Sequence, residues 1–197
     1  TAEWVDAIGR RFAKALEILR NQNTRDANWL IARAEKIQQL MAQLGTRALG
    51  GIRTRIHGNL NLAQVLVVAG DAYFVNFEDA SHQNPLQDVA DMLCAFNDAA
   101  ALAIRNAQTT NVSSDSEEIR RLIVAYTSAA SVAFYDAYVG AANELAQHWS
   151  QRGGEAAALA LFCLDNRARE IIKAEHRPDW LDVPLRDLTE MILKYQY

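Results

Sequence analysis

Apolar residues at Trp4, Val5, Ile8, Phe12, Ala15, Leu16 and Leu19 recur three and four positions apart, which predicts an amphipathic helix over 2–21. Trp29, Leu30, Ala32, Ile37, Leu40, Met41 and Leu44 extend the same period over 26–44, with Asp26 as the expected N-cap. Gly45, Gly50 and Gly51 then break it. The next stretch changes character. Ile52–Ile56 reads as short and extended, and Gln64–Val68 and Ala72–Asn76, rich in Val, Tyr and Phe, flank Ala69-Gly70-Asp71 as a hairpin.

Helical periodicity resumes after Pro85, which suits a first helical turn, and runs through Leu86, Val89, Ala90, Leu93 and Phe96 to about 107. Thr109–Ser116 is a polar linker, and Ser114 with Glu117 fits a capping box. The Ala-rich stretch to Trp149 reads as one long helix or two, followed by helices over 155–176 and near the C-terminus. The pattern as a whole predicts a mainly α fold with one small β-hairpin (α+β), and a single domain over 1–197.

Composition narrows the function classes. The chain has 197 residues, half of them hydrophobic, and 20 Lys+Arg against 24 Asp+Glu give a formal net charge of −4. That is enough apolar material for a core, and the acidic balance argues against nucleic acid or an anionic membrane as partner. The longest apolar runs, Leu62–Val68 and Ala156–Leu164, fall short of a bilayer span, and nothing resembles a signal peptide. Cys94 and Cys163 lie inside apolar helical patterns and are expected to be reduced core thiols in a cytoplasmic protein.

The candidate chemistry gathers around the hairpin. It is preceded by Arg55-Ile56-His57-Gly58-Asn59-Leu60-Asn61-Leu62-Ala63-Gln64 and ends at Asn76-Phe77-Glu78. In the protein-kinase pattern a catalytic-loop Asp is followed five positions later by an amide that holds magnesium, and a second metal-binding Asp lies beyond the next hairpin. Here Gln64 is five beyond Asn59, and Asn76 is seventeen beyond it. Loops before one strand and after its partner emerge at one edge of a ribbon, where they can converge on a phosphate.

These motifs resemble the C-terminal lobe of the maltokinase branch of the aminoglycoside-phosphotransferase-like kinases, a branch sometimes fused to trehalose synthase. The family loop reads roughly His-Gly-Asp-Tyr-His-Leu-Gly-Gln, its hairpin ends Asp-Phe-Glu-Gly, and its next helix opens Pro-Leu-Arg-Asp-Val-Ala-Gly-Met-Leu. This chain has Pro85-Leu86-Gln87-Asp88-Val89-Ala90-Asp91-Met92-Leu93 and, near its end, Arg177-Pro178-Asp179-Trp180-Leu181 with Val183-Pro184-Leu185. Ile8-Gly9-Arg10-Arg11 is similar to the family's opening, so the likeness runs over about 7–190. The resemblance implies ATP- and Mg2+-dependent phosphorylation of a sugar such as maltose.

It also assigns roles. Asn59 stands at the catalytic-base Asp, Asn76 at the metal-binding Asp, and Gln64 at the amide metal ligand. His57 and Asp88 become structural supports of the loop, and Glu78 and Asp79 become possible substitute acids. An amide accepts no proton, and losing a general base costs about 10²–10⁴ in rate. Magnesium, a hard cation, favours carboxylate oxygen, so two asparagines undercut both functions. No phosphate loop with its lysine is found, so the N-terminal ATP-binding lobe is expected to be absent.

Three readings follow: an impaired sugar-kinase lobe, a pseudokinase binding a sugar or a partner such as trehalose synthase, and a helical interaction module. The third is to be discarded if Gln64 and Asn76 meet across the hairpin. Elsewhere the ordinary readings suffice: Pro178 and Trp180 pin the last turn, His82, His148 and His176 lie on the surface, and Arg120 and Arg121 belong to a solvated helix face with Glu117 and Glu118.

Overall fold

The computed structural model describes residues 2–77, 82–109, 116–144, 154–176 and 180–194. The chain divides into two compact units: Thr1–Gly51 with Trp149–Tyr197, and Ile52–His148. The expected composition of elements is found, mainly helix with small antiparallel strand pairs, an α+β arrangement.

The first unit contains helices α1 (Ala2–Leu19), α2 (Arg25–Ile31) and α3 (Ala34–Arg47). From the C-terminal part of the chain come α6 (Gly154–Lys173), a 3-10 turn at Ala174–His176, and α7 (Asp182–Lys194). α6 is its axis, packing against α1, α3 and α7, while α2 lies on α1 and α7. The apolar period of α1 becomes core: Ile8, Phe12, Ala15, Leu16 and Leu19 are buried alongside Leu30, Ile37, Leu161, Leu164, Ile171, Leu185 and Leu188. Trp4 stacks on Phe162 with centroids 4.9 Å apart.

The expected helix over 26–44 is instead two, and its cap is Thr24, whose hydroxyl accepts from the Ala27 amide at 3.2 Å. The apolar period continues across the break, which is why it does not show in the pattern. Arg33 leaves helical geometry there (φ −114, ψ 10) and lays its guanidinium 4.3 Å over the Trp29 ring. α6 also buries charge. The Asp165 carboxylate takes a two-point bond from Arg11 at 2.6 and 3.1 Å and faces Arg169 at 3.3 Å. Fully buried Arg167 reaches Asp187 at 3.4 Å. Trp180, expected to be pinned against helices, is instead 53% exposed. Pro178 and His148 lie outside the described residues, as does Ser114 of the expected capping box.

The second unit carries the β structure. β2 (Val65–Val68) and β3 (Asp71–Phe74) pair antiparallel with Val68 opposite Asp71, leaving Ala69-Gly70 as a two-residue turn. Both turn residues have positive φ (53 and 93), the requirement of a type I′ turn, which only Gly70 meets without strain. A second pair, not anticipated from sequence, joins β1 (Thr54–Arg55) to β4 (His82–Gln83). Two-residue strands are too short to show an alternation. Arg53 reinforces this pair by donating twice to the exposed His82's carbonyl, at 3.0 and 2.7 Å.

α4 (Leu86–Thr109) follows, with Asn84 capping it through a 2.9 Å bond from the Leu86 amide and Pro85 immediately before its first residue. α5 (Ser116–Glu144) is a single helix packed on α4, with Phe96 and Phe134 edge to face at 6.0 Å. Its segment Glu117–Ala142 is long and apolar enough by composition to cross a membrane. It contains no long unbroken apolar run, because Thr127, Ser128, Ser131 and Asp136 interrupt the sequence. Cys94 is buried and Cys163 half-buried, both as free thiols.

Candidate active-site loop at the hairpin

The loop from β1 to the hairpin is held from below by α4. The Asp88 carboxylate, in the first turn of α4, accepts the His57 amide at 2.6 Å through one oxygen and the Gly58 amide at 2.8 Å through the other. Such a clamp needs two adjacent amides pointing the same way. Gly58 at φ +85 supplies that reversal, in a region that side chains avoid. The His57 ring is buried and fixed at both nitrogens: Nε2 donates to the Val75 carbonyl at 2.8 Å, and Nδ1 accepts the Asn59 amide at 3.3 Å. The two bonds define one neutral tautomer. Phe77 packs its ring 4.9 Å from the imidazole, tying the far end of the hairpin to the same residue.

The remaining positions follow from this frame. Asn61 donates from Nδ2 to the Asn59 carbonyl at 3.1 Å and accepts the Ala63 amide at 2.9 Å, capping a 3-10 turn, Leu62–Gln64. That turn delivers Gln64, whose carbonyl accepts the Val75 amide at 3.0 Å. One residue on, Asn76 adopts positive φ (58), a conformation that asparagine tolerates better than most residues. Its Nδ2 donates to Gln64 Oε1 at 2.9 Å. Gln64 and Asn76 therefore meet, at the edge of the ribbon and twelve residues apart in sequence. Asn59 is tied to the pair through Asn61 and half-buried. Glu78 and Asp79 lie outside the described residues.

Beside the loop is an open cleft of about 480 Å³ lined by Arg55, Ile56, His57, Leu60, Phe74, Phe77 and Asp88. Several contributions to the loop were not legible in the sequence: the Val75 carbonyl, the Phe77 ring and the Asn61 cap. Only Asn61 left a signal, an Asn two residues before a free amide, the pattern of an Asx turn.

A divalent-cation site is not offered by what meets here. The convergent groups are two neutral carboxamides, and the Gln64 oxygen is already engaged by Asn76. Among the described residues no group of three or more His, Cys, Asp or Glu side chains is placed to hold a metal. Magnesium requires oxygen ligands that compensate its charge, usually one or two carboxylates, so this donor set does not fit it.

No protein-family model matches the chain. Solved structures do. A glucosamine kinase (crystal form A) superposes with a TM-score of 0.75 at 21% identity, over 99% of this chain and 47% of its own. A glucosamine kinase in complex with glucosamine, ADP and inorganic phosphate gives 0.76 at 21% identity, over 99% and 48%. Crystal form B gives 0.73 at 22%, over 96% and 45%. The chain shares the fold of the matched part of these glucosamine kinases. It spans about half the length of the kinases it matches, and the small β-hairpin with its helices is accordingly a kinase-like C-terminal lobe in architecture.

Proposed function

We propose that this chain is a maltokinase-like sugar-kinase C-terminal lobe, acting in the cytoplasm, whose own phosphoryl-transfer chemistry is impaired. The observation that carries the reading is the Asn76–Gln64 bond at 2.9 Å. It joins the two positions that the resemblance assigns to magnesium, on a loop clamped by His57 and Asp88, and both groups are uncharged. A helical interaction module has no reason to bring those two residues together, so the convergence favours a kinase-derived site. The neighbour holding glucosamine, ADP and inorganic phosphate supports a hexose-type sugar and a nucleotide as the ancestral ligands.

The chemistry accounts for the impairment. Phosphoryl transfer relies on positioning and charge neutralisation, and the scaffold for positioning is intact while the charge is missing. Asn59 cannot take the proton of a sugar hydroxyl. A nucleotide-binding lobe, or a trehalose-synthase-like enzyme, is the partner that this reading requires.

The test is titration calorimetry of magnesium–ATP, then maltose and glucosamine, into the chain, followed by turnover with an N-terminal lobe supplied. The parent is expected to show weak or no magnesium-dependent nucleotide binding. Asn59→Asp with Asn76→Asp is expected to restore magnesium binding and raise turnover by about 10²-fold or more. Both substitutions leave the backbone bonds of Asn59 in place, and the Gln64 amide can rotate to donate to the carboxylate introduced at position 76. Tight magnesium–ATP binding by the parent would refute the impairment. No gain from the double variant would refute the kinase assignment of these positions.

A further inference from the structure

We propose that α5 is a self-association surface: two copies of this chain dock antiparallel along the α5 face turned away from α4, with Arg121 of each copy paired to Asp136 of the other. The α4-facing side of α5 is marked by half-buried Ile119, Ile123, Thr127, Ala130, Phe134 and Tyr138, spaced four, four, three, four and four. At 100° per residue the opposite side is Arg121, Ala125, Ser128, Val132 and Asp136, all exposed. At the centre of this side Val132 is 57% exposed, with Leu122 at 63% and Val124 at 51% on its two shoulders. Exposed apolar side chains grouped about one helix face favour association over an ordinary solvated face.

The order of residues along this face selects the occupant. Under a two-fold axis between Ser128 and Ala129, Ser128 meets Ala129, Ala125 meets Val132, and Arg121 meets Asp136 of the other copy, because each pair of numbers is symmetric about that point. Small residues lie at the crossing, where two helices approach most closely, and opposite charges lie at the ends. A parallel copy would set Arg121 against Arg121 and Asp136 against Asp136. Arg121 gives Glu117 of its own chain an Nε contact at 3.3 Å, and its side chain is 77% exposed.

A bilayer is the competing occupant, given the composition of α5. It is disfavoured because Asp136 sits on the outward face and because α4, which lies along α5, carries Asp88, Asp91, Asp98 and Arg105. Such a hairpin would bring several charges into hydrocarbon.

The experiment is sedimentation equilibrium of the full chain over about a hundredfold range of concentration. A monomer–dimer equilibrium is expected. Asp136→Arg alone should weaken it at least about tenfold by juxtaposing like charges, and Asp136→Arg with Arg121→Glu should recover it. Both positions are exposed, so far-UV circular dichroism should be unchanged. Ser128→Cys offers an independent readout, a covalent dimer under mild oxidation that the parent does not form. A monomer at every concentration overturns the proposal, as does a dimer indifferent to Asp136→Arg. Flotation of the chain with neutral phosphatidylcholine vesicles, reduced by Asp136→Arg and not rescued by adding Arg121→Glu, would replace it with a membrane surface.

Discussion

Removing the Asp88 carboxylate should release the loop while leaving the rest of its unit folded. The carboxylate accepts two backbone amides, from His57 at 2.6 Å and Gly58 at 2.8 Å, and sits in the first turn of α4. A hydrogen bond to a charged acceptor contributes about 1.5–3 kcal/mol, and Asp88 is only half-buried, so the lower end applies to each bond. A carboxylate near a helix N-terminus adds about 0.3–1 kcal/mol. Asp88→Ala therefore costs about 3.5 kcal/mol, with two amides left unpaired. Asp88→Asn keeps one acceptor oxygen and turns an NH2 toward the other amide, so its cost is about 2 kcal/mol.

The assay follows from the chain's two compact units, which need not unfold together. Amide hydrogen exchange at His57 and Gly58 reads the clamp directly. In Asp88→Ala both amides should exchange more than about tenfold faster, with α5 amides unaffected. Denaturant unfolding followed by circular dichroism supplies the total. A loss below about 1 kcal/mol for Asp88→Ala, or Asp88→Asn as damaging as Asp88→Ala, would refute the two-bond account.

Three further outcomes are expected. Ala69→Asn should stabilise the hairpin by about 0.5–1 kcal/mol, since Ala69 holds φ 53 in a turn that favours Asn-Gly; thermal melting checks it, and a lower Tm would count against the turn assignment. The hydrogen bond from Arg120 holds the Glu117 carboxyl below its ordinary range. A depressed carboxyl stabilises above the unfolded-state pKa and loses that contribution as pH falls through the folded-state value, so NMR titration should show Glu117 moving upward in Arg120→Ala. Asp165→Ala should destabilise the first unit by about 3 kcal/mol or more, because Arg11 and Arg169 are left facing each other, whereas Arg11→Ala should cost clearly less, since Asp165 keeps Arg169 at 3.3 Å. Equal losses in urea denaturation would show that Arg169 does not compensate.

What could be read from sequence, and what could not, divides along physical lines. The α1 face was legible because its 3.6-residue apolar period repeats over several turns, and the hairpin because runs rich in Val, Tyr and Phe flank a turn that contains Gly70. The break between α2 and α3 was not, because it occurs on a helix whose apolar positions continue in phase on both sides; only the backbone of Arg33 departs. β1 and β4 are pairings of two residues each, fixed by partners about thirty positions apart. At the site, the spacing of Asn59, Gln64 and Asn76 was visible, but the bonds that hold them run through backbone groups such as the Val75 carbonyl and the Gly58 amide, which every residue possesses and no side-chain pattern reveals.

That division bears on why, on the proposed reading, the loop persists without the charges that its position suggests. His57, Gly58, Asp88 and Val75 form a closed set of bonds in which neither Asn59's nor Asn76's side chain takes part. The scaffold is energetically independent of the chemistry it presents. The carboxamide of Asn76 donates to Gln64 Oε1 at 2.9 Å, and a carboxylate at that position would keep a bond only by turning the Gln64 NH2 toward it. The Gln64–Asn76 pair closes on itself, and on the proposed reading that is the physical sense in which the loop keeps a kinase-like frame while the groups that meet on it carry no charge.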